Sequence, residues 1–279
     1  MSDIGTLTRR PDSVSAAVVL GHLGFAALPV YGAAVLGPSP WTFLLWLWLG
    51  LALNGLTNLM HETAHRHVFR SAAANEFLGL WILGPLFLTD FAAYRARHWI
   101  HHREVGQAGD TKDAYLVSLS DRSGARFVSW VLAGGEALRK FRHAANAAQK
   151  DGSGPMPVVR LLVFHSGLAG TLFTVAWLAA QSLVDAAIAF VVAYGFVYLY
   201  GMATWTILFA TLRAIAEHQL LGPDDAPAGR AALRNLRCGP VARLILGCYG
   251  FAEHATHHRW PSVPCYRLGP LTRERAARV

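Results

Sequence analysis

Apolar residues fall along this chain in long blocks, and polar residues collect between them. Residues 14–36 are apolar and end in the uncharged turn Gly37-Pro38-Ser39-Pro40; a second apolar run occupies 41–60. Each approximates the ~20 residues a helix needs to cross a bilayer, so together they predict a transmembrane hairpin. Asn54 and Asn58, near the end of the second run, predict partners inside the protein, because an amide is costly unpaired in lipid. Residues 66–75 are polar and basic. Residues 77–91 are apolar again, but the run is short and Gly84-Pro85 interrupts it, the pattern of a re-entrant or interfacial segment. Asp90 at its end suits a helix cap, with a carboxylate behind a metal ligand as the alternative. Residues 103–157 are mostly polar, and 127–150 predict an amphipathic helix whose Arg139, Lys140, Arg142 and Lys150 suit anionic headgroups. A third span is expected over about 158–180, a turn at Gln181-Ser182, and a fourth span from near Leu183 through Phe209 toward His218. The tail, 222–279, is rich in Pro, Gly and Arg around one apolar piece at 244–251. The fold class predicted is an all-α integral membrane protein: four transmembrane helices, a re-entrant or interfacial segment and a cytosolic histidine-rich cap, in a single domain over 1–279.

Charge sets the orientation. The net charge of +8 would suit nucleic acid, but none of the 25 Lys and Arg lies in 11–65 or 161–212. A basic soluble binder spreads charge along its helices, whereas a membrane protein confines it to loops on the cytoplasmic side. Nucleic acid is therefore excluded as a partner. The turns at 37–40 and 181–185 hold no Lys or Arg and the other loops are basic, which predicts that both termini and the cap face the cytoplasm. A bacterial inner membrane is the expected location. The three cysteines form no C-x-x-C pair and read as buried residues or free thiols. The first apolar run is long enough to span and lacks an A-x-A exit, so no cleaved leader is expected.

Histidine changes the picture most. His98-Trp99-Ile100-His101-His102 and His254-Ala255-Thr256-His257-His258 share H-x-x-H-H spacing, and His61-Glu62-Thr63-Ala64-His65 adds a pair at i, i+4. Residues three and four apart share a helix face, so each box aims its imidazoles at one point. At 13 histidines in 279 residues a given H-x-x-H-H window arises by chance about once in ten thousand, so two copies are not background. Eight clustered imidazoles are too many for one tetrahedral ion, and two metals are implied. His218, preceded by Glu217 at the end of the fourth span, is a ninth candidate. Glu62, Glu217 and Glu253 are candidates to receive the second N–H of a ligating imidazole, while Glu104 suits a surface ion pair. His67 falls off the face of His61 and His65, and His143 sits on the basic helix; neither is expected to bind metal.

These boxes, in this order and with paired spans between them, resemble the membrane fatty acid desaturase family, which also includes hydroxylases. The flanks are similar: Arg103, Gly106 and Asp110 after the second box, and Pro261, Val263, Pro264 and Leu268 after the third. The resemblance covers about 40–270. It implies a four-span fold whose cytosolic cap holds a non-haem di-iron centre using O2, with His218 as the family's ninth histidine. His254 stands where front-end desaturases carry Gln, which speaks against that subgroup. No fused cytochrome b5 motif is seen, so the resemblance implies an external electron carrier of ferredoxin, rubredoxin or cytochrome b5 type. The activity implied is desaturation of a lipid or acyl substrate drawn from the bilayer; a hydroxylase, ketolase or decarboxylase acting on a hydrocarbon, lipid or carotenoid shares the same boxes. The first box is also H-E-x-x-H, the zinc protease signature with Glu62 as base. That reading leaves both H-x-x-H-H boxes unexplained. A metal or haem carrier would need ionisable groups near mid-membrane, where only His22, His165 and Asp185 fall inside or at the ends of spans.

Overall fold

The computed structural model describes residues 10–105, 107, 109–111, 124–142, 157–218, 233–237, 239–245 and 248–276. Its frame is four helices long and apolar enough to cross a membrane: α1 (Asp12–Leu36), α2 (Trp41–Ala64), α7 (Val158–Ala179) and α8 (Leu183–Glu217). Between them lie α3 (Ala72–Leu86), α4 (Phe91–Glu104), α5 (Gly124–Leu132) and α6 (residues 135–142). After α8 come α9 (Pro240–Ile245), a 3-10 turn (Cys248–Glu253), α10 (His254–Arg259) and α11 (Cys265–Ala276). No strand occurs among the described residues.

The spans follow the apolar blocks because the backbone can satisfy its own hydrogen bonds in lipid only as a helix or a closed barrel. Exposed Leu28, Phe43, Val163, Leu178 and Val184 face outward from them, as a bilayer requires. Inward, a shared core joins Ala33, Leu53, Leu56, Leu172, Ala193 and Val197 from all four spans. α2 is the most enclosed span, with Leu53, Asn54, Leu56 and Asn58 at 1% exposure or less. The Asn58 amide donates to the carbonyl of Cys248, 3.0 Å away, which places the start of the third-box segment beside α2. Gly37 lies against Ala189, so the α1–α2 turn and the start of α8 share one end of the bundle. α2 and α8 deliver the histidines at the other end.

The short apolar segment is bent as expected, but the helix runs through Gly84-Pro85 and breaks only at 87–90, because proline in the last turn of a helix costs no bond that the cap does not replace. α3 and α4 pack as a pair bent by 102° at their junction. Asp90 is the N-cap of α4, its carboxylate accepting from Ala93 N at 2.9 Å. The basic amphipathic stretch differs from expectation. It is broken at Gly134, whose φ is +80°, into α5 and α6. Lys140 donates to Thr211 on α8 at 3.0 Å and Arg139 pairs with buried Glu136, so these two cations are engaged by the protein rather than offered to headgroups. The reason is tertiary: α5 and α6 pack on the end of α8, and a long cationic side chain on that side meets acceptors before solvent. Lys150 and His143 lie outside the described residues.

Candidate metal centre

α2 ends at Ala64, and the chain turns back on itself through a left-handed Arg66 (φ 58°). Arg66 N bonds to Thr63 O and His67 N to Glu62 O, the two bonds of a Schellman cap. His61 and His65 thus leave the last turn of α2 on one face. His67 lies past the end of α2; 6% exposed, it stacks behind His65 at 5.4 Å because the reversed chain carries it back under the cap. It is not part of the imidazole groups described next.

The structure brings together all nine histidines singled out in the sequence. His61, His65, His98, His102 and His257 form one group, and His101, His254 and His258 a second beside it. His218 joins the second through His254, their Nε2 atoms 3.3 Å apart, with Glu217 in the same group. All nine except the intermediate His102 are buried.

Within the first group four Nε2 atoms close a ring: His65 to His98 2.8 Å, His98 to His102 3.0 Å, His102 to His257 3.2 Å and His257 to His65 3.2 Å. A ring nitrogen of imidazole either donates or accepts, so at most two of the four contacts are full hydrogen bonds. A flat ring of this size has its centre about 2.2 Å from each nitrogen, close to an ordinary metal–imidazole bond of ~2.0–2.1 Å. The donor set therefore fits a borderline transition-metal ion. The histidine clusters are able to hold metal. Burial, and then the neighbouring His65, His102 and His258, keep the pKa of His257 well below its ordinary value, which favours the neutral form that is able to bind a metal.

Carboxylates set the tautomers. Glu62 accepts from His61 Nδ1 at 3.2 Å, and its other oxygen accepts from Cys265 N at 3.0 Å, joining the first box to α11. Asp110 accepts from His101 Nδ1 at 2.7 Å, with both side chains almost fully buried. Each bond leaves Nε2 as the unprotonated nitrogen. Glu217 lies 3.8 Å from His254 Nε2 and pairs with Arg213 at 3.2 Å. Glu253, expected to serve an imidazole, instead pairs with Arg243 at 3.5 Å, because the 3-10 turn before α10 points its side chain away from the box it precedes.

Sequence reasoning did not assign Asp110, Arg213 or Asn235. Asp110 was visible only as a flanking residue, in a loop whose path the sequence does not give. Arg213 had a signal: it ends the 52-residue stretch 161–212 without Lys or Arg and stands one turn before Glu217. Its guanidinium also lies 4.2 Å over the Phe251 ring, which ties α8 to the third-box turn. Asn235 brackets Thr256 of the third box with two hydrogen bonds, 2.8 and 3.1 Å.

Among known proteins, residues 38–279 match the family model for fatty acid desaturases. The chain is 26% identical to the dihydrorhizobitoxine desaturase of Bradyrhizobium elkanii, over 93% of its own length and 74% of that protein's. It is 24% identical to the sn-1 oleoyl-lipid 12-desaturase of Synechocystis sp. (strain ATCC 27184 / PCC 6803 / Kazusa), over 90% of its length and 70% of that protein's. It is also 22% identical to the beta-carotene 4-ketolase of Protosiphon botryoides, over 86% of its length and 53% of that protein's.

Proposed function

The chain belongs to the fatty acid desaturase family, and from that premise we propose that it is an O2-dependent oxidoreductase introducing a double bond into a lipid acyl chain at a di-iron centre. The observation that carries this reading is the closed ring of Nε2 atoms from His65, His98, His102 and His257. In this proposal those four and His61 hold one ion, and His101, His218, His254 and His258 hold the other. Iron held there would supply the O2 chemistry needed to oxidise an unactivated C–H bond, which redox-inert zinc would not.

The chain's own contribution is orientation and exclusion of water. Glu62 and Asp110 hold His61 and His101 in the Nε2-ligating tautomer, and Arg213 offsets the charge of buried Glu217. The net reaction removes two hydrogens from adjacent CH2 groups and, with two electrons and two protons from outside, reduces O2 to two waters. A lipid substrate suits a centre that caps a bundle whose outer surface is apolar. Arg10 N bonds to the Tyr266 hydroxyl at 2.8 Å, joining the start of α1 to α11, which supports a single membrane domain. The distribution of Lys and Arg supports a cytoplasmic cap, and the same positive charge favours docking of an acidic electron carrier of ferredoxin, rubredoxin or cytochrome b5 type. One observation favours a second reading, a hydroxylase, ketolase or decarboxylase of the same fold: the likeness to a beta-carotene 4-ketolase.

The test is incubation of purified, reduced, iron-loaded protein with acyl lipids, hydrocarbons and carotenoids under O2, with products identified by mass spectrometry. Loss of two hydrogens from an acyl lipid is expected. A product that has gained oxygen or lost its carboxyl carbon would replace desaturation by the second reading, and full activity with zinc alone would sink both. In the same assay, turnover driven by an acidic carrier should fall as salt rises, while turnover driven by a small neutral reductant should not.

A further inference from the structure

The bend between α3 and α4 lies against α7 and α8, and it is held there by three side chains the metal site does not use. α3 ends in a second Schellman cap: Thr89 N bonds to Gly84 O at 2.9 Å and Leu88 N to Pro85 O at 3.0 Å. The left-handed position of that cap, usually glycine, is Leu88 with φ 51°. A β-carbon there is strained, so something outside the cap must hold it. The cap also leaves the Leu86 carbonyl without a bond from its own turn, in a setting where lipid offers none.

Two spans supply what is missing. The Tyr198 hydroxyl of α8 donates to Leu86 O at 2.7 Å, and Tyr198 is 1% exposed. His165 Nε2 of α7 donates to Pro85 O at 3.1 Å. That donation makes Nδ1 of His165 an acceptor, and the Tyr194 hydroxyl meets it at 2.9 Å. Tyr194 and Tyr198 sit four apart in a π-helical stretch of α8, Val191–Tyr200, and both rings lie within 6.2 Å of the imidazole. Wide turns of this kind recur at functional positions in helices.

What leaves the bend is the second histidine box. A methyl group on Gly79 of α3 would overlap the Phe91 ring, so α4 departs pressed against α3. Phe91 stacks on Tyr94 at 6.4 Å, and Tyr94 lies parallel to His98 at 5.9 Å. These residues are three and four apart, one face of α4, so the direction of the bend is passed to His98 and its companions His101 and His102.

We propose that His165, Tyr194 and Tyr198 are positioning residues, an intramembrane clamp that fixes the α3–α4 bend and thereby aims the second histidine box at the metal cluster. The inference rests on the metal-binding reading above, and its test separates the two. The full chain is purified as His165→Leu and Tyr198→Phe, which remove a donor, and as His165→Gln, whose amide N–H can replace Nε2–H. Tyr31→Phe is the control; it deletes a 2.7 Å bond to Thr171 between α1 and α7, away from the bend. Hydrogen–deuterium exchange over residues 84–104 is read on metal-free protein, and bound iron is read after reconstitution. Loss of either donor should speed exchange of 84–104 about tenfold and remove at least half of the iron. His165→Gln and Tyr31→Phe should stay near wild type in both. Unchanged exchange and iron in Tyr198→Phe and His165→Leu overturn the clamp, as does an equal loss in Tyr31→Phe. His98→Ala supplies the separate control: full iron retention there overturns the metal reading, whereas the exchange readout on metal-free protein stands apart from it.

Discussion

At the scale of single residues, the centre depends as much on the groups behind the imidazoles as on the imidazoles. Asp110 and His101 are 2.7 Å apart with almost no solvent access, so the carboxylate decides which ring nitrogen carries the proton. Asp110→Asn keeps the volume but offers an N–H or a weaker acceptor, and it should lower metal affinity about 10–100-fold, measured by competition with a chelator. His218 is a harder case, since it lies outside any box and joins the cluster only through the fold. His218→Ala should remove bound metal as severely as His257→Ala, while His67→Ala should leave metal content near wild type, by elemental analysis. Retention of full metal in His218→Ala would replace the nine-histidine arrangement by one completed with Glu217. The histidines were legible in the sequence because their spacing repeats a helical period; Asp110 was not, because its partner is fixed by a loop that returns to α4.

At the scale of elements, the close approach of α2 and α8 sets the distance between the first box and His218. Gly50 sits where the two helices meet, and a methyl group there would overlap Trp205. Gly50→Ala should therefore destabilise the bundle by ~1–3 kcal/mol through overpacking. Gly21→Ala and Gly170→Ala, with nothing within 4 Å of the added carbon, should change stability by at most ~1 kcal/mol, in the direction of helix propensity. Thermal unfolding of the three variants in detergent checks the ranking, and equal midpoints would contradict the contact. The extents of α2, α7 and α8 were legible to within a few residues because block length and composition report the bilayer. α6 was not: its basic face suited anionic headgroups, and only the position of Thr211 on α8 turned Lys140 inward.

At the scale of the whole molecule, the cap is a buried set of imidazoles, and its stability must follow protonation. The pKa of His257 is lowered by burial first and by neighbouring histidines second, from an ordinary 6.5. A histidine lowered in the folded state leaves the unfolded chain as the better proton binder below about pH 6.5, so its contribution is full above that value and is lost as pH falls further. Metal binding, which also requires neutral rings, adds to the same trend. Metal-free protein should accordingly melt at a lower temperature at pH 5.5 than at pH 7.5, and the metal-loaded protein should lose metal over the same interval. A melting temperature independent of pH would contradict a lowered pKa at buried His257.

The sequence by itself determined the spans, the presence of a break in the short apolar segment and the histidines of the cap, because each is written in local periodicity and composition; the break itself falls at 87–90, just past Gly84-Pro85. The tertiary structure alone decided which imidazoles face one another, that Asp110 rather than Glu253 serves a ring, and that His165 and Tyr198 hold a bend in α3–α4. Those outcomes join residues as far apart as His65 and His257. Such contacts depend on how helices cross and where loops return, and local sequence carries no term for either.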